Sequence, residues 1–149
     1  MPLRFDLGPF EVLHIGKSVI RNSHERACFV VEGETPILRS KDFLAAERAL
    51  AVVEKLYRCV QQMYLEEAPG KYQGAYLALR VGAVEESPDR YPLVQEADEL
   101  VRAREYYRAL KLLKKLIKTQ AFLVDRTPPE GYMPRTGGRK PAVGGTRAS

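Results

Sequence analysis

The chain has 149 residues, 45% of them apolar, with two cysteines and a formal net charge of +5. That length fits one domain or two small ones with a modest core. Thiols 31 positions apart form neither a disulfide framework nor a zinc spacing, no run approaches the ~20 apolar residues of a membrane span, and "MPLRFDLGPF" lacks the apolar stretch of a secretory leader, so a cytoplasmic protein is expected.

The first 41 residues predict about five short strands. "PLRF" runs into the turn pair Gly8-Pro9, "EVLHI" into Gly16-Lys17, "SVIRN" into a polar loop, "ACFVV" into Glu32-Gly33-Glu34, and "PILR" closes the series. Glycine first in a two-residue connection suits a tight hairpin. So small an antiparallel sheet buries little alone, and should pack on the following helices or on a second copy. A homodimer is expected on that ground. In the loop Asn22–Arg26, Asn22 reads as a residue accepting the positive φ of a tight turn. Arg21 and Arg26 remain candidate contacts. Cys28 and Cys59 both lie in apolar-periodic segments and read as buried thiols.

From Ser40 the period changes. "SKDFLAAERALAVVEKLYRCVQQMYLEE" contains no glycine or proline, and Leu50, Val53, Tyr57, Val60 and Tyr64 share one helical face. Ser40 is the expected N-cap, with Asp42 in the first turn and Pro69-Gly70 as the stop. "KYQGAYLALRVGAV" predicts a shorter helix ending near Gly82. Ser87-Pro88-Asp89 suits a helix start, and residues 93–124 form either one long helix or two bent around Ala103-Arg104-Glu105. The organisation is therefore α+β, with a β-rich region at 1–41, a helical region at 42–124 and a disordered basic tail at 125–149. That tail holds four prolines and five glycines, too little apolar content to offset ordering entropy.

Charge is segregated. Residues 1–44 are neutral, 69–99 carry −3, 100–118 carry +6 and 119–149 carry +3. A concentrated basic patch attracts phosphate at a cost in salt sensitivity. Arg104, Arg108, Lys111, Lys115 and Lys118 are spaced four, three, four, three, one narrow helical face, with Tyr106, Ala109, Leu110, Leu113, Leu116 and Ile117 opposite. The stripe serves either as a solvated face, paired with the acidic stretch 85–99, or as a ridge tracking phosphates. Arg4, Arg21, Arg26, Arg39 and Lys41 are fewer and fall at strand ends or loops.

Catalytic and cofactor signals are weak. Gly16-Lys17-Ser18 matches the end of a phosphate-binding loop, but Glu11 stands where its first glycine is needed and a strand follows. His14 and His24 have no neighbouring ligands for a metal, and no serine has nucleophile-elbow glycines. No enzyme and no cofactor are expected.

The order of "VIRN" (19–22), "PILRSKD" (36–42), "QQMYL" (61–65) and "YYRALKLLKKLI" (106–117) resembles the FlbT family over roughly residues 2–124. Arg104 departs from it, standing where such a helix pair often turns on glycine. The resemblance implies a post-transcriptional regulator that binds the 5′ untranslated leader of flagellin mRNA and lowers its translation or stability, alongside the small flagellar protein FlaF. In some relatives the effect on flagellin is positive. At the level of pattern, residues 2–42 also look like the carbon storage regulator family, RNA-binding dimers of short swapped strands. That likeness points to Arg4, Arg39 and Lys41. The second candidate surface is Arg108, Lys111, Lys115 and Lys118. A flagellar adaptor or chaperone without direct RNA recognition is the alternative.

Overall fold

The computed structural model describes residues 2–126, with side chains as far as Thr119. The order is β1 (Leu3–Leu7), β2 (Val12–Ile15), β3 (Ser18–Arg21), β4 (Ala27–Val31), β5 (Ile37–Arg39), α1 (Val52–Glu66), α2 (Pro69–Glu86), α3 (Tyr91–Arg102) and α4 (Tyr106–Arg126), with 3-10 turns at Ala46–Arg48 and Pro88–Arg90. The fold is α+β, as the sequence implies. The expected tail lies outside the described residues, apart from Asp125 and Arg126 at the end of α4. No helix among the described residues is long and apolar enough to cross a membrane.

The strands form two small antiparallel sheets, β1–β4 and β3–β2–β5. Period-2 alternation explains how they stack. Phe5, Leu7, Phe29 and Val31 meet Leu13, Ile15 and Ile37 in one small core. The opposite face of β2–β5 presents Leu38 to the helical core and His14 to Phe43, with stacked rings 3.6 Å apart. β2 and β5 are thus packed on both faces within one chain, whereas β3 stays exposed along its length. Cys28, expected to be buried, is exposed, because it takes the outward phase of β4 opposite Asp6. Cys59 is buried, and burial pushes its thiol up to about 11.

Gly16 opens the β2–β3 turn at φ 57°, as the hairpin signal requires. Asn22 does not take a positive φ. It is buried instead. Its amide nitrogen donates to the carbonyls of Gly8 and Glu25 at 2.8 Å and of Leu7 at 3.1 Å, and its Oδ1 accepts from Ser23 N. It staples the polar loop to the end of β1.

The first helix begins at Val52, not at Ser40. Residues 40–51 run irregularly because side chains of α1 capture their backbone. Gln61, fully buried, brackets Leu44 by accepting from its N–H at 2.7 Å and donating to its carbonyl at 3.0 Å. Arg58 also donates to Leu44 O, and Tyr57 donates to Asp42 O. Glu54 reaches back to the N–H groups of Ala51 and Leu50, satisfying two donors at the helix start. Pro69 begins α2 at a first-turn position rather than merely ending α1, where its missing N–H costs nothing. The helix passes Gly82, which lies against Val52, and ends at Glu86.

Residues 93–124 fall in two helices. α3 closes with Glu105 N donating to Leu100 O and Arg104 N to Val101 O, and Arg104 lies at φ 62°. This is the bonding of a Schellman turn, with arginine where glycine is usual.

Candidate nucleic-acid interface

The two candidate basic surfaces meet. β5 ends at Arg39, and Asp42 N donates to Arg39 O to turn the chain toward the helices. That turn places Asp42, almost wholly buried, beneath α4. Lys114 Nζ reaches Asp42 Oδ1 at 2.6 Å and Lys41 O at 3.0 Å, and Lys111 Nζ lies 3.2 Å from both Asp42 oxygens. Burial alone would raise the Asp42 carboxyl. Hydrogen bonds from Lys114 and Lys111, and their charges, outweigh burial and hold it below the ordinary carboxylate value. Lys111 is also partly desolvated, but Tyr107 and Asp42 raise it above the usual ammonium value. Asp42 therefore gathers the Lys111 and Lys114 ammonium groups at the junction between sheet and helix.

Arg39 is less free than a strand-end arginine. Its guanidinium donates to Asp6 O at 3.0 Å, lies 3.6 Å from Glu11 Oε2 and sits 5.7 Å from the Phe5 ring centroid. It ties β5 to β1 and is more than a solvent-facing charge. Between Arg39 and α4 lies a groove of about 330 Å³ lined by Leu3, Phe5, Thr35, Ile37, Arg39, Tyr64 and Tyr107. The Tyr64 hydroxyl is engaged by the backbone N–H and carbonyl of Ile37, both at 3.2 Å, which holds its ring against the β5 edge. Tyr107 is 41% exposed, 6.3 Å from Tyr64 between centroids, with Lys111 Nζ 5.0 Å from its own centroid.

The remaining candidates divide. Lys41 is exposed beside Lys114. Arg108 is exposed and paired with Glu105 at 2.9 Å, and Lys115 and Lys118 are exposed further along α4. Arg26 approaches Gly8, beside the turn whose Glu11 faces Arg39. Arg21 is exposed at the end of β3. Arg4 projects from the outer face of β1 opposite Val30, the opposite phase from the Phe5 face. Within the stripe, Lys111 finds its acid in Asp42 and Arg108 finds its own in Glu105. Sequence reasoning missed Lys114, Asp42, Tyr64, Tyr107 and Phe5. Lys114 lies one position off the four-three spacing, and only the turn after β5 brings Asp42 to it. Among the described residues, no group of three or more His, Cys, Asp or Glu side chains could hold a metal ion.

A second polar centre lies in the helices. Asp98 Oδ1 accepts from the Tyr76 hydroxyl at 2.6 Å, and Oδ2 faces Arg80 at 2.7 Å and Arg102 at 2.8 Å. Burial would raise this carboxyl, but these partners hold it below its ordinary value. Its contacts are with α2 and α3 side chains, which marks it as a packing device of the bundle.

No solved structure matches the chain. A protein of Rhodopseudomonas palustris strain TIE-1, "Probable flagellum biosynthesis repressor protein FlbT", is 40% identical over 126 residues, covering 85% of this chain and all of that relative. "Probable flagellum biosynthesis repressor protein FlbT" of Caulobacter sp. strain K31 is 32% identical over 79% of this chain and 92% of its own length. "Flagellum biosynthesis repressor protein FlbT" of Caulobacter vibrioides is 31% identical over 79% of this chain and 86% of its own length. The family model described as "Flagellar protein FlbT" matches residues 3–124, from the first strand into the last helix, so this chain belongs to the FlbT family.

Proposed function

We propose that the chain is a non-catalytic repressor of flagellum biosynthesis that acts in the cytoplasm by binding the 5′ untranslated leader of flagellin mRNA. The names of its relatives support the repressor role. The observation that carries the RNA reading is the convergence of Arg39, Lys41, Lys111 and Lys114 beside an aromatic groove. Cations supply phosphate affinity and aromatic faces supply base contacts, the combination that single strands require. A leader held there is withheld from the ribosome, which lowers translation.

The test is direct binding of the purified protein to a flagellin leader across a salt series, with an unrelated RNA as control. Leader-selective binding is expected, and Lys111→Ala with Lys114→Ala should flatten the slope of log affinity against log salt by about 0.7 per lost phosphate contact. Failure to bind the leader at low salt refutes the reading.

One observation favours the adaptor reading. Leu77, Val81 and Tyr91 are 41%, 49% and 55% exposed, and Val81, Val84, Tyr91 and Val94 line an open groove between α2 and α3. An apolar face of this kind fits a helix of a partner such as FlaF. Capture of purified FlaF, lost on Val81→Asp with the fold intact, would support it.

A further inference from the structure

We infer that the groove between β1, β5, α1 and α4 is a pocket for one unpaired nucleobase, which makes single-stranded RNA, not duplex, the ligand class. This rests on the RNA reading above and names the substrate class of that same surface.

The groove has an apolar floor, Leu3, Phe5 and Ile37, and two tyrosine walls. Tyr64 cannot swing away, because its hydroxyl is bound by the Ile37 backbone. Tyr107 is exposed and presents its ring to solvent. The two rings are tilted by 46°, so they form adjoining walls of a cleft and not a closed sandwich. A planar base entering it stacks on one ring and meets the other by its edge.

Charge complementarity selects a nucleotide over an aliphatic side chain. Arg39 lines the groove, and Lys111 lies against the Tyr107 ring. Lys114 and the exposed Lys41 follow on the same side through Asp42. A base in the groove therefore has cations within reach for the phosphates on either side of it. In a duplex the base is stacked and paired, and cannot enter.

The experiment uses the full chain and a fluorescent, unstructured RNA of about ten nucleotides, the same RNA with abasic sites, and an RNA duplex. Anisotropy is read at two salt concentrations. The intact single strand should bind about tenfold more tightly than the abasic strand, and the duplex more weakly still. Tyr107→Ala should weaken the intact strand by about tenfold and leave the abasic strand and the salt slope unchanged, with Tyr107→Phe restoring binding. A 5-iodouracil strand should photocrosslink to Tyr107 or Phe5. Equal binding of intact and abasic strands, with salt dependence retained, overturns the base pocket while the RNA reading stands on phosphate contacts. Absence of any RNA binding by the wild-type chain overturns both, and leaves the groove to an apolar side chain of a protein partner.

Discussion

Asp42 is predicted to stabilise the protein while restraining its RNA affinity, so that Asp42→Asn moves the two properties in opposite directions. The side chain is 3% exposed, and its partners Lys114 and Lys111 are 25% and 44% exposed. Removing one member of a fully buried ion pair costs about 3–5 kcal/mol. Here both ammonium groups can rehydrate in part, and the amide keeps the shape of the carboxylate. The loss should fall to about 2 kcal/mol, or about 4–8 °C in Tm for a chain of this length. The pH dependence follows from the lowered carboxyl. Its stabilisation is present above the ordinary value of 3.8 and is lost as pH falls through the depressed folded value. Wild type and variant should therefore differ fully at pH 7 and converge in acid. Removing the negative charge leaves Lys111 and Lys114 uncompensated beside the groove, so single-stranded RNA should bind more tightly at low salt. Thermal melts from pH 7 downward through the ordinary carboxylate value, with anisotropy at pH 7, measure all three effects. An unchanged Tm refutes the argument for a buried junction. Weaker RNA binding by a folded variant refutes the placement of the phosphate site.

Three further substitutions test the fold. Asn22→Ala should cost about 1–3 kcal/mol in urea unfolding, since it takes the Asn22 donor from the buried carbonyl of Leu7; a loss under half a kcal/mol would return Asn22 to a simple turn role. Arg104→Gly should raise stability by about 0.5–1 kcal/mol, because glycine takes φ 62° without strain, and a lower Tm would count against that. Asp98→Asn should cost about 2–3 kcal/mol at pH 7, falling toward zero in acid as the wild-type carboxylate protonates. A deficit that does not shrink at all as pH falls below the ordinary value of 3.8 would locate the effect in packing.

Much of this molecule was legible in the chain itself. Turn pairs and period-2 alternation set out five strands in order, and the 3.6-residue period gave the helical region and the basic face of α4. These are local properties, decided by residues a few positions apart. Family membership was equally legible, because "VIRN" and "PILRSKD" keep their spacing. What depended on tertiary contact was not. Residues 40–51 have good helical composition, yet Gln61, Arg58 and Tyr57 take their backbone groups, so the helix waits until Val52. Asn22 looked like a turn residue and acts as a buried staple, because its partners lie fourteen and fifteen positions away. Arg39 and the α4 stripe appeared as rival surfaces. Asp42 joins the end of the sheet to α4 across 69 and 72 positions, and no local period records a pairing over that distance. The groove has the same origin. Phe5, Tyr64 and Tyr107 are ordinary aromatic positions on a strand and two helices, and only the packing of those three elements places them around one open space.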